Sequence, residues 1–412
     1  MATRTALTCC LALCLCRSAF AQPVEAEPPR VDAPIALLSP APAASFADHA
    51  DILPAVLGPQ LRVITLDLTR PANDVWDRIR RGFAMPDLDG GLVEKYQRHY
   101  LERPGFLQQV FARGGRYLYH IVNELEARGL PTELALLPMV ESNYNPLAYS
   151  RAKASGLWQF IPSTGRHYKL TQDKWIDERR DVIASTEAAL EYLQYIYELH
   201  GDWHLALAAY NWGEGAVSRA LQRNEDAGLP TEYVHLRMPS ETRNYVPKLQ
   251  ALKNIVMNPE QFGFELPYVA NRPHFVTVES PVGVDLATAA RLAEMPIGEF
   301  LALNPAFNRP AITRSGHSLV VPAERADEFE ERLRTLADAG PLWGTYRLKR
   351  GETLATVAKR HRLTLAQLRQ LNGLTARSRT ATGYALLVPK GGDPRGALAV
   401  SGMIPLKVRA VK

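Results

Sequence analysis

The chain has 412 residues, with 48 Lys and Arg against 43 Asp and Glu, and four cysteines. This length is too great for one ordinary hydrophobic core and predicts two or three folding units. All four cysteines lie between positions 9 and 16. A chain cleaved after that segment would have no disulfide, no thiolate nucleophile and no cysteine metal site.

The first 21 residues have the pattern of a secretory signal peptide. Residues 6–16 are apolar but too short to span a bilayer as a helix, and Ala-Phe-Ala at 19–21 is a small-x-small cleavage pattern. We therefore expect export to the periplasm or cell envelope. Membrane attachment as a lipoprotein is the alternative, because Cys14 and Cys16 close the apolar run. However, a leucine precedes each of them where a lipobox has a small residue.

Positive charge is concentrated near the C-terminus. Residues 345–412 contain 14 Lys and Arg against two Asp and Glu, a net charge of +12, whereas the whole chain carries +5. A basic region on an exported protein favours an anionic polymer, wall or outer-membrane surface as its partner. Nucleic acid is not expected, because export removes the protein from it. The oligomeric state is left open.

Residues 22–73 begin with a stretch rich in proline and alanine and are interpreted as a flexible leader or linker. From residue 74 to 262, apolar side chains recur at helical spacing and no convincing alternating strands are present. We therefore expect this segment to be an all-α domain that is large enough to enclose a cleft.

Individual helices are predicted at about 185–198, 203–210 and 244–256. Another helix is expected to begin at Pro104, since proline is favoured in the first turn. The glycine pair at 114–115 follows in the same pattern and is a potential break in that helix, because glycine is a poor helix former.

The C-terminal part of the chain contains a repeat. Residues 286–290 (Leu-Ala-Thr-Ala-Ala) return 68 positions later as Leu-Ala-Thr-Val-Ala, and Leu-Asn at 303–304 returns at 371–372. Each copy predicts a strand, two short helices and a second strand, which is a small α+β (βααβ) module. The expected segments are a first module at 270–322, a charged linker helix at 323–344, a second module at 345–389 and a basic tail at 390–412.

Glu141 ends a long apolar stretch, residues 134–140. A carboxyl among apolar neighbours is harder to ionise and can stay protonated near neutral pH. That state is the one needed to give a proton to a leaving oxygen, so Glu141 is the candidate general acid.

A second carboxylate in a comparably apolar setting is not found in the sequence. One acidic group lies among Lys174, Arg179 and Arg180, so we expect it to form a solvated ion-pair loop. Its members are Asp173, Asp177, Glu178 and Asp181. Glycoside hydrolysis usually needs two carboxylates, so the residues alone show only that a partner for Glu141 is missing.

Four separated motifs carry a family resemblance. They are Glu-Ser at 141–142, Gly-Leu-Trp-Gln-Phe-Ile-Pro at 156–162, Ala-Ala-Tyr-Asn-Trp-Gly at 208–213 and Glu-Thr-Arg-Asn-Tyr-Val at 241–246. Their order resembles the soluble-lytic-transglycosylase-like (SLT) domains of glycoside hydrolase family 23, in particular the membrane-bound lytic murein transglycosylase D type. The resemblance covers roughly residues 92–259.

This resemblance implies a lysozyme-like fold for the all-α domain and peptidoglycan as substrate. It also implies that Glu141 alone cleaves the β-1,4 bond between N-acetylmuramic acid and N-acetylglucosamine, leaving 1,6-anhydromuramyl ends without added water. Two alternatives stay open. One is a hydrolytic muramidase on the same fold, and the other is a cell-wall-binding scaffold without activity. The motifs indicate no cofactor.

Seven residues are candidates for substrate binding. They are Ser142, Asn143, Trp158, Gln159, Tyr210, Asn211 and Tyr245. Trp158 stands where many relatives have methionine, which is expected to change the shape of the cleft more than its chemistry. Aromatic residues such as Tyr144, Phe160 and Trp212 could also be sugar platforms.

Each candidate also has a purely structural alternative: helix termination for the asparagines, an exposed loop for Gln159, and core packing for the aromatic residues. No metal site is expected, since His200 and His204 lack a third ligand.

The second module resembles the LysM carbohydrate-binding module over residues 345–389. The resemblance implies binding of N-acetylglucosamine chains, largely through backbone groups near Gly351, Glu352, Thr353 and Asn372. The first module has Val-Asp-Leu at 284–286 in place of the Gly-acid-Thr opening, and whether it binds sugar is left open. A role in packing alone is the alternative for both modules.

Overall fold

The computed structural model describes residues 71–313 and 317–404, all of which belong to one compact unit, Val63–Lys412. The predicted signal peptide at 1–21, nearly all of the leader at 22–73 and the last eight residues of the basic tail lie outside the described residues. No helix within the described ranges combines the length and the apolarity needed to cross a membrane.

Residues 71–262 form a domain of helices, here called the helical domain, in which the structure describes no strand longer than an isolated bridge. The helices predicted at 185–198, 203–210 and 244–256 are confirmed; the first two are longer than expected, and the third has the expected length but is shifted by one residue. Its helices are α1 (Val75–Arg81), α2 (Gly91–Leu101), α3 (Pro104–Ala127), α4 (Leu137–Ser142), α5 (Pro162–His167), α6 (Val182–His200), α7 (Trp203–Trp212), α8 (Glu214–Asp226), α9 (Ser240–Arg243) and α10 (Tyr245–Met257), with 3-10 turns at Thr132–Leu136, Tyr233–His235 and Pro259–Phe262.

Helix α3 runs without a break through Gly114 and Gly115, so the potential break is not found. Both glycines allow close packing that outweighs their poor helix propensity. A Cβ atom at Gly114 would lie 2.8 Å from the ring of Tyr144, and one at Gly115 would lie 3.0 Å from Val269. Tyr144, three residues after Glu141, is fully buried against this part of α3, where the glycines have no side chains.

A buried ion pair joins α10 to the 3-10 turn that leads into α4. The Glu133 carboxylate accepts hydrogen bonds from the backbone N–H groups of Ala84 and Met85, at 3.1 and 2.8 Å, and lies 3.1 Å from the Lys253 ammonium. Lys253 also donates to the carbonyl of Met85 at 2.8 Å. Because each buried charge is paired and hydrogen-bonded, losing either partner would leave an uncompensated charge.

The two repeats fold as βααβ modules, as the sequence predicts. In each module the strands form a two-stranded antiparallel sheet, with Phe275 opposite Pro322 in the first and Trp343 opposite Pro389 in the second. The first module has β1 (Phe275–Ser280), α11 (Leu286–Leu292), α12 (Ile297–Leu303) and β2 (His317–Pro322), followed by α13 (Ala326–Asp338); the second has β3 (Trp343–Arg347), α14 (Leu354–Arg360), α15 (Leu365–Leu371) and β4 (Ala385–Pro389), followed by α16 (Pro394–Ser401).

The repeated asparagine has the same structural role in both modules. The amide of Asn304 donates to the carbonyl of Val320 at 2.7 Å and accepts from its N–H at 2.8 Å. Asn372 makes the same pair of bonds with Leu387, at 3.0 and 2.6 Å. Each asparagine therefore joins the end of the second helix to the last strand, which explains its recurrence 68 residues apart.

The two modules pack against each other. The indole N–H of Trp343, at the start of β3, donates to the Asp285 carboxylate at 3.0 Å, and both residues are buried. Helix α16 lies against α11, where a Cβ at Gly396 would be 3.1 Å from Ala287. Val400 of α16 belongs to the apolar core of the first module. The C-terminal helix therefore completes both modules.

The acidic loop that was expected to be solvated lies instead at a domain junction. Asp177 and Arg179 form an ion pair at 2.7 Å, as the charges predict, but both are buried. The first module covers them: the N–H of Asp177 donates to the carbonyl of Ala306 at 2.8 Å, and the N–H of Asn308 donates to that of Trp175 at 2.7 Å. The expectation of a solvated loop was therefore wrong.

Gly114→Ala should destabilise the chain, because the added methyl group has no space beside the Tyr144 ring. We expect a loss of about 1–3 kcal/mol in the free energy of unfolding, which is typical of overpacking. Gly105→Ala is the matched control, since Gly105 lies in the same helix with nothing within 4 Å of its added Cβ. Urea unfolding of both variants measures the difference, and equal stabilities would contradict the packing role.

Candidate active site

A cleft of about 450 Å³ opens beside the end of α4. The residues along it come from six parts of the helical domain: the end of α4, the loop before α5, the middle of α6, the junction of α7 and α8, α9, and the start of α10. They include Val140, Glu141, Gln159, Phe160, Tyr192, Tyr210, Asn211, Trp212, Glu214, Glu241, Tyr245 and Lys248.

Glu141 lies in the last turn of α4, and the chain bends sharply just after it. Asn143 and Tyr144 both have left-handed backbone conformations, with φ of 51° and 52°. Their N–H groups donate to the carbonyls of Met139 and Pro138, which satisfies the end of the helix. The hydroxyl of Tyr144 then donates to the carbonyl of Ala135 at 2.8 Å. This bend fixes the position of Glu141 at the edge of the cleft.

Burial raises the pKa of Glu141 to about 7. A hydrogen bond from the hydroxyl of Tyr245 opposes the rise, the nearby carboxylate of Glu241 adds to it, and the ammonium of Lys248 lowers it. The first cause is the one expected from the apolar residues before Glu141. Near neutral pH this carboxyl is therefore able both to give and to accept a proton.

Two tyrosines flank the carboxyl and stay protonated. Burial and the charge of Glu141 raise the pKa values of Tyr245 and Tyr210 well above the usual range. Tyr245 donates to Oε1 of Glu141, whereas Tyr210 donates to the carbonyl of Trp158 at 2.8 Å. Tyr245 thus positions the acid, and Tyr210 holds the opposite wall of the cleft.

Three of the predicted binding residues have side chains that are already engaged or turned away. Ser142 is buried and donates to the carbonyls of Pro138 and Leu157, at 3.0 and 2.9 Å. Trp158 is fully buried, with its indole N–H 3.0 Å from the hydroxyl of Thr186. Asn143 is exposed, terminates α4 and does not border the cleft.

Each of these three residues therefore has a structural role, although Trp158 also lines the cleft. Tyr144, also considered as a sugar platform, has no exposed surface in the structure.

Gln159 and Asn211 do border the cleft. Gln159 has a left-handed backbone, with φ of 50°, and its amide N–H donates to the carbonyl of Gly156 at 2.8 Å. The side-chain oxygen of Asn211 accepts from the hydroxyl of Thr242 at 2.8 Å. The remaining polar atoms of both amides are available to a sugar acetamido or hydroxyl group.

Three aromatic side chains that line the cleft, Phe160, Tyr192 and Tyr210, belong to a row of four rings, and the fourth, Tyr168, lies outside the lining. Ring centroids are 6.4 Å apart from Phe160 to Tyr168, 5.3 Å from Tyr168 to Tyr192, and 5.4 Å from Tyr192 to Tyr210. Two of these residues, Tyr168 and Tyr192, were missed by sequence reasoning. The only signal for Tyr192 was its place in a helix rich in Ala, Leu and Tyr, which is equally typical of a core residue.

Sequence reasoning also missed two carboxylates that border the cleft. Glu214 starts α8 and accepts from the hydroxyl of Tyr192 at 2.8 Å. Glu241 is exposed in α9. Glu214 follows one quoted motif and Glu241 opens another, but neither comes directly after an apolar run, which was the signal that identified Glu141.

In the second module, three of the four residues predicted for glycan binding use their side chains internally. Glu352 accepts from the hydroxyl of Tyr346 and pairs with Arg360 at 2.6 Å. Thr353 caps the start of α14, and Asn372 is buried in the bonds described above. Gly351 has a left-handed backbone, with φ of 74°. The side chains of Glu352, Thr353 and Asn372 therefore have structural roles within the module.

His200 and His204 lie on different helices. His200 ends α6, Gly201 turns the chain with φ of 67°, and His204 belongs to α7 with Nε2 3.1 Å from the carbonyl of Pro86. Their spacing of four residues therefore does not place them on one helical face.

Three segments of the chain match family models. Residues 119–229 match the transglycosylase SLT domain, residues 274–338 the LysM-like domain of lytic transglycosylase MltD, and residues 346–378 the LysM domain. Over 352 residues the chain is 34% identical to membrane-bound lytic murein transglycosylase D of Escherichia coli (strain K12), spanning 82% of this chain and 78% of that protein. The chain belongs to the lytic murein transglycosylase family.

Shorter similarities cover the helical domain. A protein of Alteromonas sp. (strain M-1) named for tributyltin chloride resistance is 39% identical over 163 residues, 39% of this chain and 77% of that protein. The soluble lytic murein transglycosylase of Salmonella typhimurium (strain LT2) is 31% identical over 116 residues, 27% of this chain and 18% of its own length. As expected from the motifs, this lytic transglycosylase is multidomain, with a mostly helical SLT domain followed by LysM domains.

Tyr245→Phe should raise the pKa of Glu141 further, because the hydroxyl of Tyr245 stabilises the ionised carboxyl. Tyr210→Phe is the matched control, since the hydroxyl of Tyr210 donates to a carbonyl and not to Glu141. NMR titration of the Glu141 carboxyl carbon measures both variants. An unchanged pKa in Tyr245→Phe, or an equal rise in Tyr210→Phe, would contradict the assigned hydrogen bond.

The raised pKa of Glu141 should make stability depend on pH. Between pH 4.5 and about 7 the folded chain holds this proton and the unfolded chain does not. The stabilising contribution is therefore complete below pH 4.5 and lost as pH rises through 7. Glu141→Gln should be more stable than the native chain above pH 7, by at most about 3 kcal/mol.

Urea unfolding at several pH values measures this difference in stability. It should shrink toward pH 4.5, and a difference that does not change with pH would show that Glu141 titrates normally.

Proposed function

We propose that this lytic transglycosylase cleaves the β-1,4 bond between N-acetylmuramic acid and N-acetylglucosamine in peptidoglycan with Glu141 as its single acid and base. The observation that carries the proposal is a carboxyl with a pKa near 7 that lies in a cleft and is held by the hydroxyl of Tyr245. A catalytic group works best when its pKa is close to the working pH. Family membership supplies the substrate and the reaction class.

The proposed reaction has one proton cycle. Protonated Glu141 gives its proton to the glycosidic oxygen as the bond from that oxygen to the muramyl C1 breaks. The carboxylate that remains accepts the proton of the muramyl C6 hydroxyl while the C6 oxygen bonds to C1. The product is a 1,6-anhydro sugar, no water is consumed, and Glu141 is protonated again. The hydroxyl of Tyr245 stabilises the intermediate carboxylate.

The other cleft carboxylates are less suited to a hydrolytic mechanism. Glu214 is engaged by the hydroxyl of Tyr192, and Glu241 is exposed beside Lys248 at the rim of the same cleft. A hydrolytic muramidase would need one of them to activate water from the face of the sugar opposite Glu141. Gln159 and Asn211 are proposed to bind the sugar acetamido groups, and Tyr210 to shape the wall.

The second module is proposed to bind glycan through the backbone near Gly351. Such a weak binding module raises the local concentration of glycan at the cleft without adding catalytic contacts. In the first module Asp285 occupies the position equivalent to Thr353, 68 residues earlier, and it is covered by Trp343. This module is therefore proposed to serve mainly in packing. We also propose that the protein works in the cell envelope, where its relative is described as membrane-bound.

Glu141→Gln should lower the turnover of purified sacculi by a factor of about 10² or more, because the amide cannot donate or accept the proton. The native chain should release muropeptides with 1,6-anhydro ends, each lighter by one water than a reducing end. Glu214→Gln is the matched control, since it removes a carboxylate from the same cleft, and it should lower turnover by less than about tenfold while keeping the anhydro product. Mass spectrometry of the digests measures both quantities.

Reducing ends in the native digest would instead establish the hydrolytic muramidase. Unchanged turnover in Glu141→Gln would show that Glu141 is not the acid. No turnover by the native chain, with sacculus binding retained, would establish the scaffold.

A further inference from the structure

A second cavity, of about 730 Å³, lies where the helical domain meets both modules. The loop at 173–176 forms one wall, the segment at 311–313 with Phe307 and His317 forms another, and strands β3 and β4 form the third. It shares no residue with the cleft at Glu141. The reaction described above does not use it.

Basic side chains dominate this cavity. Lys174, Arg347 and Lys390 line it, and Arg309 is close enough to lower the pKa of Lys174 together with Arg347, after burial, which is the main cause. The single lining carboxylate is Asp173, which accepts from the N–H groups of its own loop at 2.6 and 2.8 Å. Within residues 71–313 and 317–404, none of the four basic side chains has a carboxylate at ion-pair distance.

The walls between these charges are apolar, with Ile312 buried and the other side chains partly exposed. Trp175 and Ile176 stand on the loop, opposite Phe307 and Ile312 of the first module. An indole ring and branched aliphatic groups next to cations suit a ligand that alternates small alkyl groups with carboxylates. A bare phosphate would leave this apolar surface unused.

The cavity is held in shape by bonds between the three domains. The side-chain amide of Asn308 donates to the carbonyl of Asp173 at 2.8 Å, in addition to its backbone bond with Trp175. The Lys174 ammonium lies 4.5 Å from the centre of the Tyr384 ring and 3.3 Å from the carbonyl of Ala385. A site formed in advance binds without a large ordering cost.

Arg347 and Lys390 stand at the mouth of the cavity. Both are exposed, and the stem of Lys390 crosses the strand at Gly344, where an added Cβ would be 2.4 Å from its Cε atom. Glycine at position 344 therefore leaves room for the Lys390 stem beside the cavity. Long basic side chains at the mouth of an apolar cavity can close around a carboxylate that has entered it.

We propose that this cavity binds an acidic peptide, namely the carboxylate-bearing stem peptide attached to the muramic acid of peptidoglycan. The proposal rests on the proposed function, which supplies a substrate whose peptides carry free carboxylates and alanine methyl groups. Arg347 and Lys390 bind the carboxylates, and the wall of Trp175 and Phe307 accepts the methyl groups. The protein would then contact peptide and glycan of the same polymer at separate sites.

Calorimetric titration of the full chain with a sugar-free stem peptide tests this proposal. The probe is Ala-γ-Glu-diaminopimelyl-Ala with free carboxylates, compared with the same peptide fully amidated. The acidic peptide should bind more weakly as salt rises, and the amidated peptide should bind at least about tenfold more weakly. Because the probe contains no sugar, the result does not depend on turnover at Glu141, which the sacculus digests measure separately.

The double variant Arg347→Gln/Lys390→Gln should lower the affinity at least about tenfold with the melting temperature unchanged, since both side chains are exposed. Arg98→Gln/Arg223→Gln is the control, because it removes the same charge from exposed positions on α2 and α8 and should leave the affinity unchanged.

Equal binding of both peptides, no binding, or equal losses in the two double variants would overturn the proposal. Binding to phosphatidylglycerol vesicles that depends on Arg347 and Lys390, without peptide binding, would also overturn it and assign the cavity to a lipid surface.

Discussion

Burial of the Glu141 carboxyl away from water raises its pKa toward neutrality. Much of the packing in the helical domain holds this carboxyl in its buried position. The helix that carries Glu141 ends at Asn143 and Tyr144, which both have left-handed backbone conformations. The ring of Tyr144 packs directly against the backbone of α3 at Gly114. The buried pair of Glu133 and Lys253 fixes α10 against the same region, and α10 begins with Tyr245. Desolvation sets the acidity, and the surrounding packing sets the position.

Much of the fold follows from local sequence pattern. Helical periodicity predicted α6, α7 and α10, and the 68-residue repeat predicted both βααβ modules. Periodicity could not show what lies against a helix, which is why the glycine pair in α3 was misread: its value depends on Tyr144, thirty positions away. The burial of the Asp177–Arg179 pair was missed for the same reason, because the segment that covers the pair belongs to another domain.

The candidate site shows the same limit. Glu141 could be found because its apolar neighbours adjoin it in sequence, and those neighbours also cause its pKa to rise. The direction of a side chain could not be predicted in this way. Ser142 and Trp158 are close to Glu141 in the motifs, but their polar groups bond to buried partners. Conversely, Glu214 and Tyr192 come together only when α6 and α8 pack. The motif locates a cleft, and the fold decides which of its side chains face the substrate.

The contact between Trp343 and Asp285, and the C-terminal helix that enters both apolar cores, have a consequence for how such proteins diversify. Neither βααβ repeat is an independent folding unit, since each would expose apolar surface to water without the other repeat. Gain or loss by recombination should therefore occur in pairs, with breakpoints falling ahead of the first repeat. Once two copies depend on each other in this way, the loss of one copy exposes apolar residues of the other, so a return to a single copy is unfavourable.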